Sequence, residues 1–295
     1  MRVIYDVLRD GLFAINTASS QLAKAQQQMS SGKRISGAGD DPRGTQQAIA
    51  ERSTINSIDA YTKASDAAST RLASADSVLT AYSDKLTSAI TTALSAQGTQ
   101  VNATARASSA QELRSLRQAL VSDLNTTFNG NYLFSGTNSN AATYAQVAGT
   151  WTYQGNADTA QVSVESGRTV SVSFNGQQIA QGSDTTNVFT ALDDLANAVE
   201  AGDNAGITTG IAALQRGFGR AQRAQAFLGT DEQGVDAAQA RLTSLRASAD
   251  VRRSKLEDVN MAEAVTKLQQ ADTAYRAALG AVSTAERQSL LDYLR

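Results

Sequence analysis

From Ile4 to Met29 small and apolar residues recur at Ile4, Leu8, Gly11, Ile15, Ala18, Leu22, Ala25 and Met29, with gaps alternating four and three. That spacing lines them along one side of a helix, and so narrow a stripe is a coiled-coil seam. Gly11 weakens it locally. A second helical pattern runs from about Pro42 to Ala96, clearest at Leu72, Ala75, Leu79, Tyr82, Leu86, Ala89 and Ala93. Its register reaches back through Ile55 and Ile58 but is diluted by Thr62, Ser65 and Ser69. It predicts either one helix of roughly 80 Å or two shorter ones broken near Thr62–Ser69. A third pattern, Leu113, Leu116, Leu120 and Leu124, is expected to stop at Asn129-Gly130 and Gly136.

The middle of the chain changes period. Val162 and Val164, then Val170, Val172 and Phe174, alternate with polar residues and predict short strands, with Ser166-Gly167 and Asn175-Gly176 as hairpin turns. Trp151, the only tryptophan, is expected to anchor this small β core. Helical spacing returns over Val188 to Glu200 and at Ile207, Ile211, Leu214, Phe218, Ala221 and Leu228. "FLGTDEQG" predicts a break. Beyond it come Leu242, Leu245, Ala249, Leu256 and Val259, and after "EDVN" a last seam through Leu268, Ala271, Tyr275, Ala278 and Val282.

The predicted fold is therefore mainly α. It is an elongated antiparallel helical bundle or coiled coil formed by the N- and C-terminal regions, with a small β-rich insert in the middle. The expected division pairs terminal helices 1–41 with 260–295 as an assembly domain. It joins 42–130 with 203–259 as a helical rod domain, and leaves 131–202 as a β-rich outer insert with one flanking helix. That insert is marginal for a core of its own and is expected to lean on the helices.

The stretch "MSSGKRISGAGDDPRGTQQA" separates the first two helices. Gly37 and Gly39 are expected to let the backbone turn. Asp41 is expected to cap the next helix and Pro42, the only proline, to occupy its first position. Tyr132, Leu133 and Phe134 are candidates for the anchor of the insert. Two long helices with open seams are unstable alone in water, so the terminal helices are expected to pair. Apolar surface left over at their far ends is expected to pack against neighbouring copies. The predicted assembly seam is Ile4, Leu8, Ile15, Leu22, Met29, Leu268, Tyr275, Val282, Leu290, Leu291 and Leu294. The bland alternative is that these residues close an intramolecular coiled coil and nothing more.

Composition narrows the chemistry. Aromatics are only 5% of residues, which suits slender helices better than a large globular core. The net charge of −2 favours neither nucleic acid nor an anionic membrane. Cysteine and histidine are both absent, which removes disulfides, thiolate metal sites and the commonest general base. No catalytic residue, cofactor or metal site is expected, and the chain reads as a non-enzyme. Asp40-Asp41 reads as part of a helix start, and Asp193-Asp194, early in a predicted helix, as favoured by the positive end of its dipole, rather than either as an acid pair. The basic "VRRSKLED" reads as a solvated helix face or a subunit contact. "GFGRAQRAQAFLG" lacks the preceding strand and the Gly-Lys-Ser/Thr of a phosphate loop. The first residues, with Asp6 and Asp10, do not form the apolar core of a signal peptide.

"QMSSGKRISGAGDDPRGTQQA" resembles the turn after the first helix of bacterial flagellins, and "EDVNMAEAVTKLQQADTAYRAALGAVSTAERQSLLDYLR" resembles their C-terminus. "GNYLFSGTNSNAATY" and the ending "SLLDYL" are similar to the hook–filament junction branch of that superfamily. The resemblance implies a self-assembling structural part of the flagellum, exported by the flagellar type III apparatus without a cleaved signal and placed outside the cell. It implies copies of the same chain, flagellin and a FlgK-type hook-associated protein as partners, and a FlgN-type chaperone on the C-terminal seam before export. A filament flagellin is the alternative within the superfamily. An autonomous coiled-coil adhesin or phage-tail-type binding protein is the alternative outside it.

Overall fold

The computed structural model describes residues 2–98 and 101–293, with side chains over 9–98 and 101–284. Three helices come first: α1 (Arg2–Ser31), α2 (Pro42–Ser95) and α3 (Ala103–Leu124). Six short strands follow: β1 (Thr127–Phe128), β2 (Asn131–Tyr132), β3 (Tyr144–Val147), β4 (Thr150–Tyr153), β5 (Gln161–Glu165) and β6 (Arg168–Ser171). The chain then returns to helix with α4 (Gly176–Ala180), α5 (Val188–Ala201), α6 (Asn204–Glu257) and α7 (Met261–Tyr293). The mainly α class with a small β-rich middle is as the periodicity predicts.

The chain divides into two compact units, residues 1–57 with 244–295 and residues 58–243. Residues 58–130 and 203–243 of the expected rod thus share a unit with the insert, while its residues 42–57 and 244–259 fall in the unit of the terminal helices. The β segment has too little apolar area to stand by itself, and its core is continuous with that of the helices.

In the 58–243 unit α2 runs unbroken. Ile58, Ser65, Leu72, Leu79, Leu86 and Ala93 are buried at every seventh position, as are Ala68, Ala75, Tyr82, Ala89 and Ala96. Ser65 does not break the helix because its hydroxyl donates to the Val164 carbonyl at 3.2 Å. Helix α6 also runs straight through "FLGTDEQG", against the predicted break. Ile207, Leu214, Ala221, Leu228, Val235 and Leu242 keep a seven-residue seam that is buried at each step. Tertiary packing outweighs the poor helix propensity of Gly229 and Gly234. Leu113, Leu120 and Leu124 of α3 and Leu192, Leu195 and Val199 of α5 complete the helical part of this core.

The strands form three separate antiparallel hairpins, β1–β2, β3–β4 and β5–β6. A lone two-stranded ribbon is marginal in water, and each larger hairpin is pinned to helices. Asn125, just past α3, accepts from Tyr144 N–H at 2.8 Å and donates to Tyr144 C=O at 2.9 Å. Asn187, the N-cap of α5, donates to Trp151 C=O at 2.7 Å. Arg241 of α6 grips Glu165 of β5 through both carboxylate oxygens.

Three local expectations are corrected here. Asn129-Gly130 does not end α3, which stops at Leu124; it forms the β1–β2 turn with φ of 51° and 81°. Asn175-Gly176 is not a hairpin turn, since Asn175 caps α4 by accepting from Gln177 N–H at 2.9 Å. Trp151 is only half-buried; the aromatic centre is Tyr144, at 2% exposure, set edge-on to Phe189 at 4.8 Å and beside Tyr153 at 5.6 Å.

The β3–β4 turn holds Ala148 at φ 49° and Gly149 at φ 85°. Two positive φ values in a two-residue turn suit Asn-Gly, whereas alanine in the left-handed region costs about 1 kcal/mol. Ala148→Asn is expected to raise unfolding stability by about 0.5–1 kcal/mol in urea titration. A lower midpoint for the variant would contradict the turn geometry.

Candidate functional site

Two features of the 1–57/244–295 unit stand out: the pair formed by α1 and α7, and the joint where both helices meet the rest of that unit. Helix α1 presents Gly11, Ile15, Ala18, Leu22, Ala25 and Met29 as a buried or half-buried stripe. Helix α7 presents Ala264, Leu268, Ala271, Tyr275, Ala278 and Val282 in the same way. The two run antiparallel, and Gly11 lies so close to Val282 that an added Cβ would sit 2.7 Å from its Cγ2. Continuing that register places a small residue opposite a large one at each level. In that register Ile15 falls level with Ala278, Ala18 with Tyr275, Leu22 with Ala271, Ala25 with Leu268 and Met29 with Ala264. Alternating large and small side chains let two helices approach closely without voids.

The seam residues read from the sequence are therefore brought together within one chain. Ile15, Leu22, Met29, Leu268, Tyr275 and Val282 are half-buried rather than open, each covered from one side by the other helix. Apart from Met261 at the start of α7, at 50% exposure, the large apolar side chains left on the described surface of this pair lie elsewhere: Leu12 at 58%, Phe13 at 74% and Leu279 at 43% exposure. They fall outside the four-and-three spacing and so escaped the sequence reading. Leu294 lies outside the described residues, as do the side chains of Ile4, Leu8, Leu290 and Leu291.

The joint begins where α1 ends. Gly32, at φ 66°, turns the chain. The chain turns again at Gly37 and Gly39, where Asp40 N–H donates to Gly37 C=O at 3.1 Å, but neither glycine takes a positive φ and both have open space around them, so against expectation this turn does not depend on glycine. After Gly32 the backbone docks on the break between α6 and α7. Val259 N–H donates to Gly32 C=O at 2.9 Å and Arg34 N–H to Glu257 C=O at 2.6 Å, around an antiparallel bridge between Lys33 and Asp258. The Arg34 guanidinium adds a bond to Leu256 C=O at 2.8 Å and pairs with Asp41 at 3.1 Å.

Asp41 and Pro42 start α2 as predicted: Asp41 accepts from Gly44 N–H at 2.9 Å, and Pro42 is the first helical residue. The Gly44 N–H, and after it Arg34, hold the Asp41 carboxyl below the usual carboxylate range. A side chain at Gly44 would strike that carboxylate and come within 2.7 Å of Ile35 Cδ1. Asp40 accepts from Lys24 at 2.8 Å, from Ser36 N–H at 3.0 Å and from Gly37 N–H at 3.2 Å. Both carboxylates are occupied in holding the loop. Asp193 lies early in its helix, in the second turn of α5, and is engaged by Arg117 of α3.

The residue that sequence reading missed is Glu257. Its side chain is only 4% exposed, and it accepts from Arg52 Nε at 2.7 Å with Lys33 Nζ at 3.5 Å. The Arg52 bond first, and the Lys33 charge with it, hold its carboxyl below the ordinary value. Beside it Arg252 forks onto Glu51 at 2.8 and 3.1 Å. "VRRSKLED" is thus half of a salt-bridge network and not a plain solvated face. Arg52 and Glu257 lie 205 residues apart, so no local spacing could announce the pair. Of the predicted anchor, Leu133 and Phe134 are fully buried and Tyr132 half-buried. The Leu133 and Phe134 carbonyls accept from Phe174 N–H at 3.0 Å and Gly176 N–H at 2.7 Å. Among the described residues no group of acidic side chains is arranged to hold a metal ion, and no helix is long and apolar enough to cross a membrane.

Comparisons with known proteins bear on this arrangement. The family model of the bacterial flagellin N-terminal helical region matches residues 12–139, and that of the bacterial flagellin C-terminal helical region matches residues 213–294. The flagellar hook-associated protein 3 of Salmonella typhimurium is 29% identical over 166 residues, 56% of this chain and 52% of that protein. The chain thus spans about half the length of the curated relatives it matches. Among solved structures, a Vibrio parahaemolyticus protein described as a flagellar hook-associated protein superposes with a TM-score of 0.70 at 22% identity, over 74% of this chain and 100% of that one. The flagellar junction protein FlgL of Legionella pneumophila gives a TM-score of 0.62 at 13% identity, over 72% of this chain and 100% of that one. At these identities the two structures establish the fold alone.

Two predictions follow from the geometry. Gly11→Val places a branched side chain against Val282 and is expected to cost about 1–3 kcal/mol by overpacking, read as faster amide exchange along α1 and α7. Unchanged exchange would remove Gly11 from the interface. Glu257→Gln removes the buried charge. Its partners Arg52 and Lys33 are half-exposed and solvent-screened, so the expected cost at pH 7 is about 1–2 kcal/mol. The Glu257 carboxyl titrates below its unfolded value of about 4.3, so its contribution is complete above that pH and is lost as pH falls through the folded value. The wild-type and variant stabilities should converge below about pH 4; a constant difference down to pH 3 would reject the assignment.

Proposed function

Because the chain belongs to the bacterial flagellin family, we propose that it is a structural subunit of the flagellum which joins hook to filament and assembles with its own copies through the α1–α7 pair. The observation that carries this is an apolar surface that one chain does not finish covering. Two helices alone leave the seam of Ile15, Leu22, Met29, Leu268, Tyr275 and Val282 half-buried, and Leu12, Phe13 and Leu279 lie open beside it. Neighbouring copies in a tubular array would complete the cover. The names of the hook-associated relatives favour the junction over the filament. In this reading the chain is not an enzyme. Flagellin and a FlgK-type hook-associated protein are its neighbours, a FlgN-type chaperone shields α7 before export, and the flagellar type III apparatus exports it without a cleaved signal.

The decisive experiment removes the gene and examines both cells and medium. The junction role predicts intact hooks without filaments and flagellin lost to the medium. Filaments still attached to hooks in that mutant would reject it. A finer test is Phe13→Asp in the full chain. Phe13 is exposed, so stability should change by no more than about 0.5 kcal/mol, while incorporation into flagella is lost.

A further inference from the structure

The 58–243 unit carries a second surface that its own fold leaves incomplete. A groove of about 1170 Å³ opens between α6 and the segment holding Phe174 and Ile179. Its α6 wall carries Arg216, Gly219, Arg220, Arg223 and Phe227. Arg220 is used internally, donating to the Ile179 and Ala180 carbonyls at 3.1 and 3.0 Å and to Asp184 at 2.7 Å. Arg216 shares that carboxylate at 3.1 Å. Asp231, further along, is partly buried, which pushes its carboxyl up against the opposing pull of the Ser171 amide and the Arg168 charge. Arg223 forms no ion pair among the described residues, and Phe227, one turn on, is 74% exposed. Gly219 costs the helix about 1 kcal/mol relative to alanine, yet nothing lies within 4 Å of where its Cβ would be. No internal neighbour accounts for that glycine, whereas a closely approaching partner would.

The opposite flank of the same helix is acidic. Glu232 and Asp236 of α6 stand beside Asp76 of α2, and none of the three forms an ion pair among the described residues. Partial burial, and then the charges of Asp76 and Asp236, push the Glu232 carboxyl up. Like charges held together cost the isolated chain stability that a partner's cation would restore. Arg223 and Glu232 are nine residues apart, as are Phe227 and Asp236. Nine residues make about two and a half helical turns, so the two patches face opposite ways.

We propose that the Arg223–Phe227 stripe of one copy receives the Asp76, Glu232 and Asp236 cluster of the next copy in a head-to-tail contact. It rests on the reading that copies of this chain assemble, and adds where and in what sense they touch. Patches on opposite flanks cannot pair with themselves about a two-fold axis. They generate a contact that repeats from copy to copy, closing as a ring or continuing as a helix. The exposed aromatic beside an unpaired arginine supplies the type of centre that dominates interface energies, and the carboxylates supply partner choice.

The chain contains no cysteine, so the contact can be trapped without background. Cells would carry the full chain with Arg223→Cys and Asp236→Cys together as its only copy, and isolated flagella would be treated with a mild oxidant. The expected result is a ladder of covalent dimers, trimers and higher species, with neither single variant cross-linking. A dimer from Arg223→Cys alone would mean stripe against stripe and would overturn the head-to-tail contact. Flagella that contain the double variant but yield no ladder would overturn the contact and leave the assembly reading standing; absence of the wild-type chain from flagella would overturn both. Both residues are exposed, and circular dichroism of the purified chains checks that the fold is kept. As an independent arm, Arg223→Glu should lower incorporation about tenfold and Arg223→Glu with Asp236→Arg should recover it. Unchanged incorporation of the single variant would overturn the proposal.

Discussion

A helix of thirty residues with an apolar stripe at four-and-three spacing cannot leave that stripe in water and stay folded. This constraint governs the 1–57/244–295 unit. The cover for α1 comes from α7, at the other end of the sequence, and the two fit because each places small residues where the other places large ones. Gly11 against Val282 leaves no room for even a Cβ. The joint of Gly32, Arg34, Glu257 and Val259 then ties the chain leaving α1 to the chain entering α7. The ends of two long helices are thereby fixed against each other before any neighbour arrives.

Much of this was legible from spacing alone. The seams of α1, α2 and α7 follow from periodicity because their packing is periodic, and the start of α2 follows from Asp41-Pro42 because capping is local. What escaped the sequence was decided by distant partners. Glu257 looks like one more charge in a basic run until Arg52 and Lys33 are brought to it. "FLGTDEQG" looks like a break, but Leu228 and Val235 hold the seven-residue register across it. Asn129-Gly130 could end a helix or make a hairpin, and the strands on either side choose the hairpin. The exposed Leu12 and Phe13 carry no periodic signal, and only the structure separates them from the buried stripe.

The two units carry their unfinished surfaces differently. On the α1–α7 pair the surplus is apolar and flanks a seam already half covered. On α6 it is a cation and an aromatic on one flank and carboxylates on the other. An apolar surplus gives strength with little directional preference, while separated charges set orientation and register. A subunit that must join a defined neighbour in a defined sense has use for both.

The rungs at Gly32–Val259 and Arg34–Glu257 run between main-chain groups. Every residue except proline offers the same amide and carbonyl, so these bonds are indifferent to the letters that present them. Mutational drift can rewrite the surrounding loop extensively, provided a residue able to turn left-handed stays at the Gly32 position and no proline enters the paired stretch. A joint built in this way is inherited as a shape rather than as a motif.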